Sequence, residues 1–100
     1  MHNANNILAV FGSTGSIGCN TLEVVRRHPE HFRVRYLTGN SNADLLVAQV
    51  REFRPDAVVV TDSAAAARVR DAVGDFTEIL SGKDALTQLA ARDDYDTMVS

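Results

Sequence analysis

An apolar run, Ile7-Leu8-Ala9-Val10-Phe11, opens straight into Gly12-Ser13-Thr14-Gly15-Ser16-Ile17-Gly18. A buried strand, a sharp turn and a helix must follow one another there. Glycines at 12, 15 and 18 let the backbone reverse, admit a phosphate without a Cβ in its way, and bring the helix close to the strand. The start of that helix offers unpaired N–H groups and the positive end of a helix dipole, and both favour an anion. The stretch predicts a nucleotide phosphate cradle. Its G-x-x-G-x-x-G spacing departs from the G-x-G-x-x-G of the familiar NAD dehydrogenases and fits NADP-preferring enzymes better. A Walker phosphate loop is excluded, because no Lys-Ser or Lys-Thr pair follows Gly18 to reach β- and γ-phosphates.

The rest of the chain repeats the strand-helix alternation. Further strands are expected at Val34 to Thr38, Asp56 to Val60, Thr77 to Leu80 and, as a beginning, Thr97 to Ser100. A first helix, Ser16 to His28, carries Arg26 and Arg27 near its negative end and stops at Pro29. A second, Ala43 to Arg54, has Leu46, Val50 and Phe53 on one stripe and closes at Pro55. The third runs from the Ala64-Ala65-Ala66-Ala67 tract to Val73 with Asp62 or Ser63 as its cap, and a fourth starts at an S-x-x-D box, Ser81 and Asp84. Short apolar strands separated by single helices give right-handed crossovers and a parallel sheet covered on both faces. The expected fold is α/β, a Rossmann-type doubly wound parallel sheet in three layers, with residues 1–100 as one NADP(H)-binding unit. The sequence stops as the fifth strand begins, so the expectation is an incomplete domain, truncated at that strand, with the substrate and metal domain outside it.

Composition narrows the function classes. With 100 residues, one cysteine, 45% hydrophobic residues and a formal net charge of −3, the chain reads as an ordinary globular unit without a basic surface for nucleic acid. No apolar run approaches the roughly 20 residues that cross a membrane, and Met1-His2-Asn3-Ala4-Asn5-Asn6 lacks a charged leader followed by an apolar stretch. A cytoplasmic location is expected. Cys19 has no disulfide partner and reads as a packing residue. Asp93, Asp94 and Asp96 precede the last strand and read as a solvated turn, while His28 and His31 read as capping or surface residues at a helix end.

Cofactor choice in such folds is made at the end of the second strand, roughly 20 residues past the last glycine, where NAD enzymes place an acidic residue on the ribose 2′-hydroxyl. Here the stretch is Thr38-Gly39-Asn40-Ser41-Asn42. Without a carboxylate, nothing repels a 2′-phosphate. Hydroxyl, amide and backbone N–H groups can bond it, although no Arg or Lys lies in the loop; Arg35 sits on the order of 10 Å back along the strand. Asn42 also has the position to cap the next helix.

Gly12 to Cys19, Leu22-Glu23-Val24-Val25, His28-Pro29-Glu30-His31-Phe32-Arg33-Val34 and Leu80-Ser81-Gly82 together resemble the N-terminal NADPH-binding domain of the 1-deoxy-D-xylulose 5-phosphate reductoisomerase family. That resemblance implies an oxidoreductase of isoprene biosynthesis that rearranges and reduces 1-deoxy-D-xylulose 5-phosphate to 2-C-methyl-D-erythritol 4-phosphate, using NADPH and a divalent metal, magnesium or manganese. It further implies that Thr14, Gly15, Ser16 and Ile17 line the pyrophosphate and adjacent ribose, between the framing Gly12 and Gly18. Asn40, Ser41 and Asn42 would face the 2′-phosphate, with Gly39 giving a close backbone approach. Many relatives have Gly-Lys-Asn at this loop, so the lysine ion pair is absent here. Metal ligands and catalytic groups are expected outside this chain, the full-length enzyme is expected to be a homodimer, and residues 1–100 alone are expected to be inactive. Two other readings stay open: another NADP-dependent dehydrogenase with the same turn, and a non-catalytic NADP(H)-sensing module.

Overall fold

The computed structural model describes residues 6–100, so the reading of residues 1–5 as part of a segment without a leader lies outside the described residues. Strands β1 (Asn6–Val10), β2 (Phe32–Gly39), β3 (Ala57–Val60), β4 (Glu78–Ser81) and β5 (Thr97–Val99) alternate with helices α1 (Ser16–Arg27), α2 (Ala43–Phe53), α3 (Ser63–Val73) and α4 (Lys83–Ala90). All strand pairs are parallel, in the order β4-β3-β2-β1-β5. This is the α/β, three-layer, doubly wound sheet read from the sequence.

The chain walks outward from β1 to β4 and then reverses to place β5 on the other side of β1. With crossovers of one hand, reversing direction moves the connecting helix to the opposite face. The packing follows that rule. Leu8, Val10, Val34, Leu37, Val58 and Val60 bury against α1, α2 and α3, whereas Ala9, Tyr36, Ala57 and Val59 bury against Ala85 and Leu89 of α4. β3 is covered on both faces and so reads as an unbroken apolar run, Ala57-Val58-Val59-Val60. In β2 the register steps past Arg35, pairing Leu8 with Val34 but Ala9 with Tyr36. That single extra residue sends Tyr36 to the α4 face while Val34 and Leu37 share the other.

Helix ends decide most of the differences from the expected boundaries. Asp62 rather than Ser63 caps α3, its carboxylate accepting from the Ala65 N–H at 2.9 Å. Asn42 caps α2 through the Leu45 N–H at 3.2 Å. His28 closes α1 with its own N–H on the Val24 and Val25 carbonyls. The expected S-x-x-D box does not form. Ser81 is the last residue of β4, and Gly82, at φ +95°, stands at the N-cap of α4 without a side-chain bond. Glycine is needed there because that backbone angle strains any residue with a Cβ.

Asp93, Asp94 and Asp96 are all exposed in the α4–β5 connection, as expected of a solvated turn, and the turn is also tied to the sheet. Tyr36 donates its hydroxyl to Asp94 at 2.7 Å, Arg35 donates to the Asp94 carbonyl at 2.9 Å, and Asp96 accepts from the Ile7 N–H at 2.8 Å. Tyr95 meets the Tyr36 ring edge-on. Among the described residues, no three His, Cys, Asp or Glu side chains gather as metal ligands.

Burial pushes the Tyr36 phenol above its ordinary value, and the hydroxyl it donates holds the Asp94 carboxyl below its own. The contact therefore stabilises the fold above the unfolded carboxylate range and is lost as pH falls through the depressed folded value. Tyr36→Phe is expected to cost about 1–2 kcal/mol near neutral pH. The difference should shrink in acid, as denaturant titrations of the two proteins at several pH values would show.

Candidate nucleotide-binding site

The turn after β1 is built by three glycines with three different duties. Gly12 has φ +74°, an angle that L side chains rarely adopt. A Cβ on Gly18 would lie 2.4 Å from the Gly12 carbonyl oxygen and 2.5 Å from the Ser13 Cα, so this glycine alone lets α1 press onto the turn. Gly15 differs from both. Its φ of −82° suits any residue, and an added Cβ would meet nothing closer than the Gly12 oxygen at 3.5 Å. The fold makes no demand for glycine at 15, and the open space in front of it is what a ligand needs.

Hydrogen bonds sort the N–H groups of the turn into used and free. Gly12 N–H donates to the Thr38 hydroxyl at 2.9 Å, Ser13 N–H to the Thr38 carbonyl at 2.8 Å and Gly15 N–H to the Gly12 carbonyl at 3.0 Å. The first helical bond is Cys19 N–H to the Gly15 carbonyl at 2.8 Å, and no side chain caps α1. The N–H groups of Thr14, Ser16, Ile17 and Gly18 find no acceptor among the described residues. Four free donors at a helix start make an anion cradle, with the helix dipole adding to them.

A cleft of about 390 Å³ lies in front of this turn, lined by Gly12, Thr14, Gly15, Thr38, Gly39, Asn40, Thr61 and Leu86. It sits at the carboxyl ends of β1, β2 and β3, where open parallel sheets bind ligands. Another groove, of about 360 Å³, runs between α1 and the β1–β5 edge, but it takes no residue of the glycine turn.

Within the second-strand loop, the sequence-predicted residues separate by role. The Asn40 amide oxygen accepts from the Thr61 hydroxyl at 2.7 Å, which leaves the amide NH₂ as the group Asn40 can offer a ligand. Ser41 is exposed and its hydroxyl is uncommitted among the described residues, whereas the Asn42 oxygen is spent on capping α2. A Cβ on Gly39 would meet Leu46 Cδ1 at 2.7 Å, so a side chain there would have to displace Leu46 of α2. Ser16 and Ile17 are exposed on the first turn of α1, Ile17 at 60%. Cys19 is exposed as well, rather than packed, with its thiol 3.6 Å from the Ser13 carbonyl.

Sequence reasoning passed over Ser13, Thr38, Gln49, Thr61 and Leu86. Gln49 and Ser13 are both buried and exchange two bonds, Ser13 hydroxyl to Gln49 Oε1 at 2.7 Å and Gln49 Nε2 to the Ser13 carbonyl at 2.9 Å. A polar residue inside the otherwise apolar Leu46, Val50, Phe53 stripe of α2 was the available signal, since a buried amide implies a partner.

Residues 8–100 match the family described as 1-deoxy-D-xylulose 5-phosphate reductoisomerase. The chain belongs to that family. It is 48% identical over 96 residues to the 1-deoxy-D-xylulose 5-phosphate reductoisomerase of Burkholderia mallei, covering 93% of this chain and 24% of the relative. A solved reductoisomerase in complex with NADPH, fosmidomycin and magnesium superposes with a TM-score of 0.85 at 38% identity, over 93% of this chain and 23% of that one. The NADPH complex of the Zymomonas mobilis reductoisomerase gives 0.80 at 29% identity, over 86% and 23%. The chain thus spans about a quarter of the length of the reductoisomerases it matches. Neither a different dehydrogenase nor a sensing module is favoured by these matches. No helix among the described residues is long and apolar enough to cross a membrane.

The contrast between the glycines is measurable. Gly18→Ala forces its methyl into backbone atoms and is expected to cost at least about 3 kcal/mol. Gly15→Ala has room and should cost no more than about 1 kcal/mol, the difference between glycine and alanine at an N-cap. Denaturant unfolding of the two variants gives the comparison directly.

Proposed function

We propose that residues 1–100 are the NADP(H)-binding Rossmann unit of a reductoisomerase that converts 1-deoxy-D-xylulose 5-phosphate to 2-C-methyl-D-erythritol 4-phosphate. The observation that carries the reading is the uncapped start of α1, with four N–H groups that find no acceptor among the described residues, beside open space at Gly15. Thr14, Gly15, Ser16 and Ile17 bind the pyrophosphate and the ribose beside it, framed by Gly12 and Gly18, and the exposed Ile17 covers the cofactor's apolar side. Bound NADPH supplies the hydride for the reduction. A divalent magnesium or manganese ion, which polarises the substrate oxygens, belongs with the sugar phosphate in the part of the protein beyond this unit. The complexes of related reductoisomerases with NADPH and with magnesium support this division.

Asn40, Ser41 and Asn42 form the 2′-phosphate loop beside Gly39. The Asn40 NH₂ and the Ser41 hydroxyl are its neutral donors, and Asn42 contributes by fixing the loop to α2. Preference for NADPH over NADH then rests on the absence of a repelling carboxylate and on uncharged bonds. A cytoplasmic, homodimeric enzyme is the setting proposed. Hydride transfer needs nicotinamide, metal and sugar phosphate in contact, so residues 1–100 alone are proposed to be inactive.

Gly15→Val should place a branched side chain where the pyrophosphate enters and weaken NADPH binding in the full-length protein by about a hundredfold or more, with the fold retained. Unchanged affinity in calorimetry would remove this turn as the cradle. Ser41→Lys should widen the NADPH over NADH preference by about tenfold, because a charge-assisted bond replaces a neutral one. If that ratio does not move, the loop assignment is wrong.

A further inference from the structure

The phosphate turn is held by two pins, and both come from segments that flank the second-strand loop. Thr38, just before the loop, accepts the Gly12 N–H with its hydroxyl and the Ser13 N–H with its carbonyl. Gln49 stands on α2, the helix that the loop residue Asn42 caps, and takes the Ser13 hydroxyl and carbonyl. Every polar group of Ser13 is therefore satisfied inside the protein, by partners that belong to the loop's two flanks. Ser13 is 0% exposed and Gln49 6%, so no water substitutes easily for either bond.

From this geometry we infer that Gln49 is a positioning residue that fixes the distance between the pyrophosphate cradle and the 2′-phosphate loop, and so sets how well one dinucleotide engages both. The inference rests on the two subsites proposed above. Gln49 does not touch the nucleotide. It acts through Ser13 on the cradle, and the rigid turns of α2 between Asn42 and Gln49 transmit the position of the loop. Such a ruler matters only for a ligand that spans both subsites. A ligand held by the loop alone does not sense it.

Gln49→Leu keeps the helix and the approximate volume but removes both bonds to Ser13. In the full-length protein it is expected to weaken NADPH binding about tenfold or more. Adenosine 2′-monophosphate, which carries the 2′-phosphate and no pyrophosphate, should bind variant and wild type within about twofold of each other, the spread ordinary for a site not perturbed. Ser13→Ala, which loses only the hydroxyl bond and leaves Gln49 on the Ser13 carbonyl, should show the same split with a smaller loss, and it carries the test if Gln49→Leu does not fold. Equal losses for both nucleotides would reduce Gln49 to a packing role and overturn the inference, as would an unchanged NADPH affinity. A wild-type protein that binds neither nucleotide would instead overturn the function proposed for the site.

Discussion

The contact on which the site depends is the approach of α1 to the turn at Gly18. Because that residue has no Cβ, the helix starts against the Gly12 carbonyl and the Ser13 backbone, closer than any side chain permits. The consequence is electrostatic as much as steric. Helix N–H groups that solvent or a capping side chain would satisfy elsewhere stand instead at the mouth of the cleft beside β1. An anion there replaces water on groups that are already oriented, which is the least costly way to bind a phosphate in a neutral loop.

The same economy of contact governs the far side of the sheet. Three helices cover one face, but α4 must by itself serve the other while carrying the chain back past β3, β2 and β1. A helix of eight residues buries little, and only Ala85 and Leu89 of α4 are fully covered. The Tyr36–Asp94 bond and the Asp96–Ile7 bond make up the deficit by tying the return segment to β2 and to β1. That is why the register step at Arg35 matters: without it the Tyr36 phenol would share the face of Val34, away from Asp94.

Much of this was legible in the sequence, because five strands alternate with four helices among the described residues and the glycine turn has a single economical conformation. The order of layers followed from handedness alone. What escaped reading were contacts between residues distant in sequence. The Ser13–Gln49 pair is separated by 36 positions and the Tyr36–Asp94 pair by 58, and no local pattern links their members. The Ser81-x-x-Asp84 box failed for a related reason. A serine that could cap a helix was already held in the β4 ladder opposite Val60, and tertiary pairing outweighed the local motif. Asp93, Asp94 and Asp96 are the solvated residues the sequence suggests, but the bonds of Asp94 to Tyr36 and of Asp96 to Ile7 had no local signal.

If the proposed 2′-phosphate loop sets cofactor choice, its specificity has an origin unlike that of a loop bearing a lysine. A cation attracts a 2′-phosphate over a distance comparable to the Debye length, roughly 8–10 Å at physiological salt, and does so whatever the local geometry. Uncharged donors act only at contact and only when aimed. The Thr61 hydroxyl aims the Asn40 amide and the α2 cap holds the loop that carries Ser41. Recognition by such donors depends on their placement to within a fraction of an ångström, so a neutral loop needs a stiffer frame than a charged one. The pins from Thr38 and Gln49 to the phosphate turn provide that stiffness, so in the proposed reading the fold itself, rather than a single charge, would distinguish one cofactor from the other.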